Sequence, residues 1–200
     1  MVDTDTDLDI SLELLQAGDQ AEFARLVDAY STQIYRLALK MLGVEQDAED
    51  VLQNTFMKAM QSIDKFEGRS SLSTWLYRIA VNEALMMLRR QKPTIPVAMD
   101  YEDDDDELQH PTQFTDWCCL PEEDLLSDEA KKHLDKAIRH LPEKLRVVFL
   151  LRDIEGLSIR EASEALDLTE TAVKTRLLRA RLNLREQLSS YYGERLKEQA

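Results

Sequence analysis

Gly156-Leu157-Ser158-Ile159-Arg160-Glu161-Ala162-Ser163-Glu164-Ala165-Leu166-Asp167-Leu168-Thr169-Glu170-Thr171-Ala172-Val173-Lys174-Thr175-Arg176-Leu177-Leu178-Arg179-Ala180-Arg181 holds two short helical patterns on either side of a tight Leu166-Asp167-Leu168 turn. Ser158 stands where a helix N-cap belongs and Glu161 follows three residues later, the spacing of a capping box. Thr169 opens the second helix in the same way. Along that helix Val173, Leu177, Ala180, Leu184 and Leu188 recur at helical spacing and make one apolar stripe. Lys174, Arg176, Arg179, Arg181 and Arg185 fall outside the stripe, and no acid interrupts the run from Thr171 to Arg185. A helix anchored by one stripe and basic elsewhere, entered from a helix and a turn, is how a helix-turn-helix presents side chains to the DNA major groove. The same pattern also describes an amphipathic core helix with solvated arginines, because charged helix faces are common.

Charge is distributed unevenly around this motif. The net charge of -14 is the reverse of the basic excess that usually accompanies DNA binding. The acid is segregated, however: Pro93 to Glu129 holds thirteen Asp or Glu and no Lys or Arg. Met1 to Asp19 adds six acids and no base. Gln20 to Lys92 carries nine acids and ten bases, and Ala130 to Ala200 eleven acids and fifteen bases. Neither block is basic enough for strong non-specific affinity for DNA, so engagement of DNA is expected to need a partner.

Two hundred residues, 44% of them apolar, with only five Gly and five Pro, predict an all-α chain of two small helical domains. The expected divisions are an acidic segment at 1–19, a helical bundle at 20–92, an acidic flexible linker at 93–129, a helix-turn-helix domain at 130–192 and a tail at 193–200. No run of about 18 uncharged apolar residues is present, so no membrane insertion is expected. The acidic start lacks a hydrophobic signal core, which predicts a cytoplasmic protein. The adjacent Cys118 and Cys119 do not make a disulfide framework.

In the first block Phe23, Leu26, Val27, Tyr30 and Ile34 follow the spacing of a buried helix face, with Gly43 placed to end that helix. Asp47 to Ile63 forms the next helix, with Ala48, Val51, Leu52, Phe56, Ala59 and Ile63 inward. Asp47, Glu49 and Asp50 crowd its first turn, where negative charge complements the helix dipole. A polar loop over Phe66 to Ser73 precedes a helix from Thr74 to Arg90 that mixes aromatic and basic residues. Such a face suits single-stranded nucleic acid, where bases stack and phosphates are neutralised. Trp75 and Tyr77 equally suit a core.

The segments Asp47-Ala48-Glu49-Asp50-Val51-Leu52-Gln53-Asn54-Thr55-Phe56 and Phe66-Glu67-Gly68-Arg69-Ser70-Ser71-Leu72-Ser73-Thr74-Trp75-Leu76-Tyr77-Arg78-Ile79-Ala80 closely resemble domain 2 of bacterial sigma factors of the extracytoplasmic-function (ECF) group, within the sigma-70 superfamily. Leu141 to Arg152, running into Glu155-Gly156-Leu157-Ser158, resembles the lead-in to domain 4, and Val173-Lys174-Thr175-Arg176-Leu177 with Arg179-Ala180-Arg181 resembles its recognition helix. The two blocks stand in the family's order with a linker between them.

The resemblance implies a sigma factor: a chain that binds core RNA polymerase and directs it to promoters in transcription initiation in response to stress or another signal. It implies that Asp47, Glu49, Asp50, Gln53 and Phe56 dock on the clamp helices of the largest polymerase subunit. The loop and helix through Arg90 would hold the melted −10 element, through Arg69, Ser70, Ser73, Trp75, Arg78, Asn82, Arg89 and Arg90. An unstacked base needs a snug pocket and stacking partners, and Asn82 offers both a donor and an acceptor to a base edge. Thr171, Lys174, Thr175, Arg176 and Arg179 would read the −35 element as duplex. An anti-sigma factor is a further expected partner. Three features depart from the family's pattern. Asp167 stands where the turn usually carries Gly, Met86 and Met87 replace residues that are often polar, and the linker is long and acidic. Asp tolerates the left-handed conformation better than most residues, so the turn is expected to survive.

Asp100 to Glu107 carries seven acids in eight residues and cannot fold alone. It reads as a solvated tether or, by the resemblance, as a polyanion for a basic channel of polymerase. His110, Cys118 and Cys119 are the candidate metal or redox residues, but their spacing matches no standard zinc pattern, and neither metal nor cofactor is expected. An enzyme is not expected, since the chain lacks a Gly-rich phosphate loop, an HExxH and a nucleophile motif. The other reading is a ligand-responsive repressor whose first domain senses or dimerises; the aromatic and basic helix over 74–90 speaks against it.

Overall fold

The computed structural model describes residues 10–91 and 128–198, with side chains for 10–91 and 132–189. The acidic linker, Asp100 to Glu107, His110, Cys118 and Cys119 therefore lie outside the described residues. Within them the chain is helical and has no strand. Two bundles form, α1 (Leu12–Gln16) to α4 (Leu72–Gln91) and α5 (Asp128–His140) to α8 (Glu170–Glu198).

The first bundle is built on capped helices. Ser11 caps α1 by accepting from the Leu14 amide, and Asp19 caps α2 (Gln20–Leu42) by accepting from the Glu22 amide at 2.8 Å. Gly43 ends α2 at φ 78°, a left-handed conformation open to a residue without Cβ, and its amide closes on the Leu39 carbonyl. Leu26, Ile34, Leu37 and Met41 of α2 are buried against Ala48, Val51, Phe56 and Ala59 of α3 (Glu45–Ser62). Phe23 and Phe56 meet edge to face at 6.4 Å. On α4, Leu76, Tyr77, Ala80, Val81 and Ala84 complete the core. Truncating any of its fully buried leucines would cost about 2–5 kcal/mol.

Residues 10–19 belong to this bundle and do not form a separate segment. Leu15 is buried, Gln16 donates to the Phe66 carbonyl at 2.9 Å, and the buried Glu22 carboxylate accepts from the Ser11 amide and from Arg25.

In the second bundle α6 (Glu143–Phe149) runs into a π-helical turn over Leu150–Ile154, and Val147 to Leu151 lie inside. The capping box at α7 (Ile159–Leu166) is complete: Ser158 accepts from the Glu161 amide and Glu161 from the Ser158 amide. Asp167 adopts φ 54°, ψ 45°, the left-handed conformation expected of the turn. Thr169 caps α8 by accepting from the Ala172 amide at 3.1 Å. The stripe Val173, Leu177, Ala180 and Leu184 is buried, with Leu188 packed at its end. Helix α8 continues to Glu198 and so crosses the boundary expected at 192.

The two bundles are packed together: α4 lies against α7, and α2 against α5 and α6. Lys40 pairs with Asp135 at 2.8 Å, and Arg146 donates to the Met41 carbonyl at 2.5 Å. Nothing in the periodicity of either block announces these contacts.

Candidate nucleic-acid interface

Three helix surfaces carry the residues singled out from the sequence. On α3 the acids of the first turns are spread around the helix. Glu49, Asp50 and Gln53 are exposed, while Asp47 accepts from Gln91 at 2.8 Å and so ties the start of α3 to the end of α4. Phe56 is 8% exposed and faces Phe23. Most of the ring therefore lies beneath the exposed face and supports it, because its apolar area is more stable in the core. Met57 and Met60, each 58% exposed, continue the face that begins with Asp50 and Gln53. The sequence reading missed them, although their i, i+3 spacing on the polar side of α3 signals them.

The loop before α4 is fixed by its serines. Ser71 accepts from the Thr74 amide at 3.1 Å and shares hydroxyl hydrogen bonds with Ser73 and Thr74. Arg69 is exposed and pairs with Glu67, and Ser70 and Ser73 are half-buried. Trp75 is half-buried with its ring tilted on Phe66 at 5.1 Å, so one aromatic serves the core and still borders solvent. Arg78 and Asn82 are exposed one turn apart. Trp75, Arg78, Asn82 and Arg89 follow i, i+3, i+7, i+14 spacing, a single helix face about 21 Å long. Arg90 leans back toward the Met86 sulfur at 3.7 Å. The face thus combines a stacking surface, an amide and cations, the chemistry that holds an unpaired strand.

Tyr77 is buried on the opposite side of α4 and reaches the other bundle. Its hydroxyl donates to Glu155 Oε2 at 2.9 Å. Burial pushes this hydroxyl well above the usual phenol range, and the neighbouring Glu155 charge adds to the shift. Burial also raises the Glu155 carboxyl, against the opposing effects of the Tyr77 hydrogen bond and of Arg36 and Lys40. Tyr77 is a joint between bundles.

On α8, Thr171, Lys174 and Thr175 stand exposed in the first turns, as a recognition helix requires. Lys174 leans toward Glu170 at 3.4 Å, an exposed pair that costs little to break. Arg176 and Arg179 are half-buried on the flanks of the helix. Arg181 is engaged elsewhere, gripping Asp153 with two hydrogen bonds of 2.8 and 2.7 Å that fasten α8 to the π-helical turn. Leu178, 52% exposed, sits in the middle of the outward strip and was not among the residues expected there. Among the described residues no group of three or more His, Cys, Asp or Glu is placed to hold a metal ion, and no helix is long and apolar enough to cross a membrane.

Comparison with known proteins matches both bundles to one family. Residues 26–94 match the family model described as Sigma-70 region 2, and residues 132–184 match Sigma-70, region 4. The chain is 36% identical over 177 residues to the ECF RNA polymerase sigma factor SigW of Bacillus subtilis, covering 88% of this chain and 94% of that one. It is 35% identical over 170 residues to the ECF RNA polymerase sigma-E factor of Haemophilus influenzae, covering 85% and 89%. Among solved structures it is similar to CnrH in complex with the cytosolic domain of CnrY, with a TM-score of 0.64 at 24% identity over 90% of this chain and 95% of that one. It is also similar to the sigma factor RpoE of Bartonella quintana in complex with the anti-sigma factor NepR, with a TM-score of 0.60 at 24% identity over 84% and 96%.

Proposed function

We propose that this chain, which belongs to the ECF family of RNA polymerase sigma factors, divides promoter recognition between its two bundles. As a sigma factor it binds core RNA polymerase and directs it to promoters for initiation. The exposed face of α3, from Glu49, Asp50 and Gln53, docks on the clamp helices of the largest polymerase subunit. The Ser70 to Ser73 loop and the Trp75, Arg78, Asn82 and Arg89 face of α4 hold the melted −10 strand. The strip Thr171, Lys174 and Thr175 on α8, flanked by Arg176 and Arg179, reads the −35 duplex. The single observation that carries this reading is the match of both bundles to one family, in order, on helices whose named residues are largely exposed.

The chemistry of initiation then belongs to polymerase, and this chain contributes binding and positioning. Its place of work is the cytoplasm, with polymerase and DNA. The two structural neighbours were each solved with a second protein, which supports an anti-sigma factor as a partner that competes for the α3 and α4 surfaces. A ligand-responsive repressor would leave the region 2 match over residues 26–94 without a purpose.

The division of labour is tested by assembling polymerase with variants of each face. Asp50→Arg with Gln53→Ala is expected to weaken core binding and leave promoter preference unchanged in whatever holoenzyme still forms. Unchanged core affinity in the α3 variant, with the fold retained by circular dichroism, would assign docking to another surface.

A further inference from the structure

From Thr171 to Arg185 the exposed positions of α8 are Thr171, Lys174, Thr175, Leu178, Arg181 and Arg185. Five of them carry hydrogen-bonding groups. The sixth, Leu178, is 52% exposed and lies one turn beyond Lys174, with Thr175 and Thr171 on the same side. The core stripe Val173, Leu177, Ala180 and Leu184 is buried on the opposite side of the helix, so Leu178 is not needed to anchor α8. A lone exposed leucine on an ordinary surface calls for no explanation. This one occupies the centre of the face that a helix-turn-helix lays in the major groove. The groove floor offers hydrogen-bond donors and acceptors and one apolar group, the C5-methyl of thymine.

We infer that Leu178 is a specificity-determining residue that selects a thymine in the upstream promoter element through that methyl group. The inference rests on the reading of α8 as the duplex-reading helix. Helix rise separates Leu178 from Lys174 by about 6 Å. Base pairs are spaced by about 3.4 Å, which places the thymine within about two base pairs of the base that Lys174 meets. Leu182, one further turn along, is half-buried and farther from the helix N-terminus that enters the groove, and Thr171 and Thr175 offer only one methyl beside a hydroxyl, so Leu178 is the largest apolar group on the exposed strip.

The test uses holoenzyme reconstituted from the full chain and core polymerase. Binding sequences are selected from duplexes randomised across the upstream window, and each thymine of the selected sequence is then replaced by deoxyuridine, which differs only in lacking the methyl. One thymine is expected to lose about fourfold in promoter affinity on this replacement, the factor associated with one buried methyl-sized group. Holoenzyme carrying Leu178→Ala is expected to show that loss on the thymine duplex already and to be indifferent to deoxyuridine at that position. Leu178→Met should keep the sensitivity. Equal deoxyuridine sensitivity in wild type and Leu178→Ala, or no sensitive thymine, overturns the inference while leaving α8 as a DNA reader. Weakened core binding in Leu178→Ala, with no change in base preference, also overturns it and marks a protein contact. Failure of wild-type holoenzyme to select any sequence in the window would overturn the underlying reading of α8 as well.

Discussion

Tyr77 on α4 donates a 2.9 Å hydrogen bond to Glu155, at the end of the π-helical turn of the other bundle. The helix that presents Arg78 and Asn82 is thereby joined, one residue from Arg78, to the lead-in of the helix-turn-helix. Both partners are displaced in the same sense: burial raises the phenol and raises the carboxyl, so each favours its protonated form.

A pH dependence follows from Glu155. Its folded-state pKa lies above the unfolded value, so its contribution to stability is fully present below the ordinary carboxylate pKa. That contribution is lost as pH rises through the raised value. Glu155→Gln keeps an acceptor for Tyr77 without the titration. Its melting temperature is expected to gain on wild type as the solution is taken from acid toward neutral. A variant that instead loses ground over that range would mean that Arg36, Lys40 and the hydrogen bond outweigh burial.

The turn of the helix-turn-helix gives a backbone test. Asp167 sits at φ 54°, a conformation that costs a residue with Cβ roughly 1–2 kcal/mol. Asp167→Gly is expected to stabilise the second bundle by up to about 1 kcal/mol in urea unfolding, the gain being reduced by the freedom glycine adds to the unfolded chain. Asp167→Val should destabilise it, because a β-branched residue fits that region worst.

Phe56 separates a core role from a contact role. Phe56→Ala removes a buried ring and is expected to cost about 3–5 kcal/mol in unfolding free energy. Phe56→Leu, which retains most of the volume, should cost less and leave polymerase affinity close to wild type once the folded fraction is matched. A large affinity loss in folded Phe56→Leu would return Phe56 to the docking surface.

Arg181 and Lys174 divide structure from recognition on one helix. Arg181→Ala breaks the two-bond grip on Asp153, a partly exposed pair worth no more than about 1 kcal/mol, and should lower the melting temperature modestly. Lys174→Ala leaves the fold intact and is expected to weaken promoter binding without changing core affinity. Its salt dependence reports the role: loss of one phosphate contact lowers the slope of log affinity against log salt by about 1, while a base contact changes sequence preference.

What the sequence revealed follows the range of the physics. The capping box at Ser158, the left-handed Asp167, the Gly43 stop and the Val173 to Leu184 stripe all arise within a few residues, and all were legible. Phe56 read as a surface residue because the resemblance assigned it there, while its own period already placed it inward with Val51 and Ala59. Leu178 carries no charge and lies outside the apolar stripe, so neither pattern marks it, while Arg176 and Arg179 are only half-exposed on α8. The joint between bundles was not legible: Tyr77 and Glu155 are 78 residues apart, and no local pattern encodes their meeting.

As a sigma factor, this chain should make core polymerase promoter-specific through two separate DNA-reading surfaces. The most direct measurement is transcription by purified core polymerase, with and without the chain, on a promoter chosen by selection. Specific starts are expected only when the chain is present, lost on mutation of either promoter element, with Asn82→Ala impairing strand opening and Lys174→Ala impairing initial binding. Promoter binding by the chain without polymerase, accompanied by reduced transcription, would contradict it and restore the repressor.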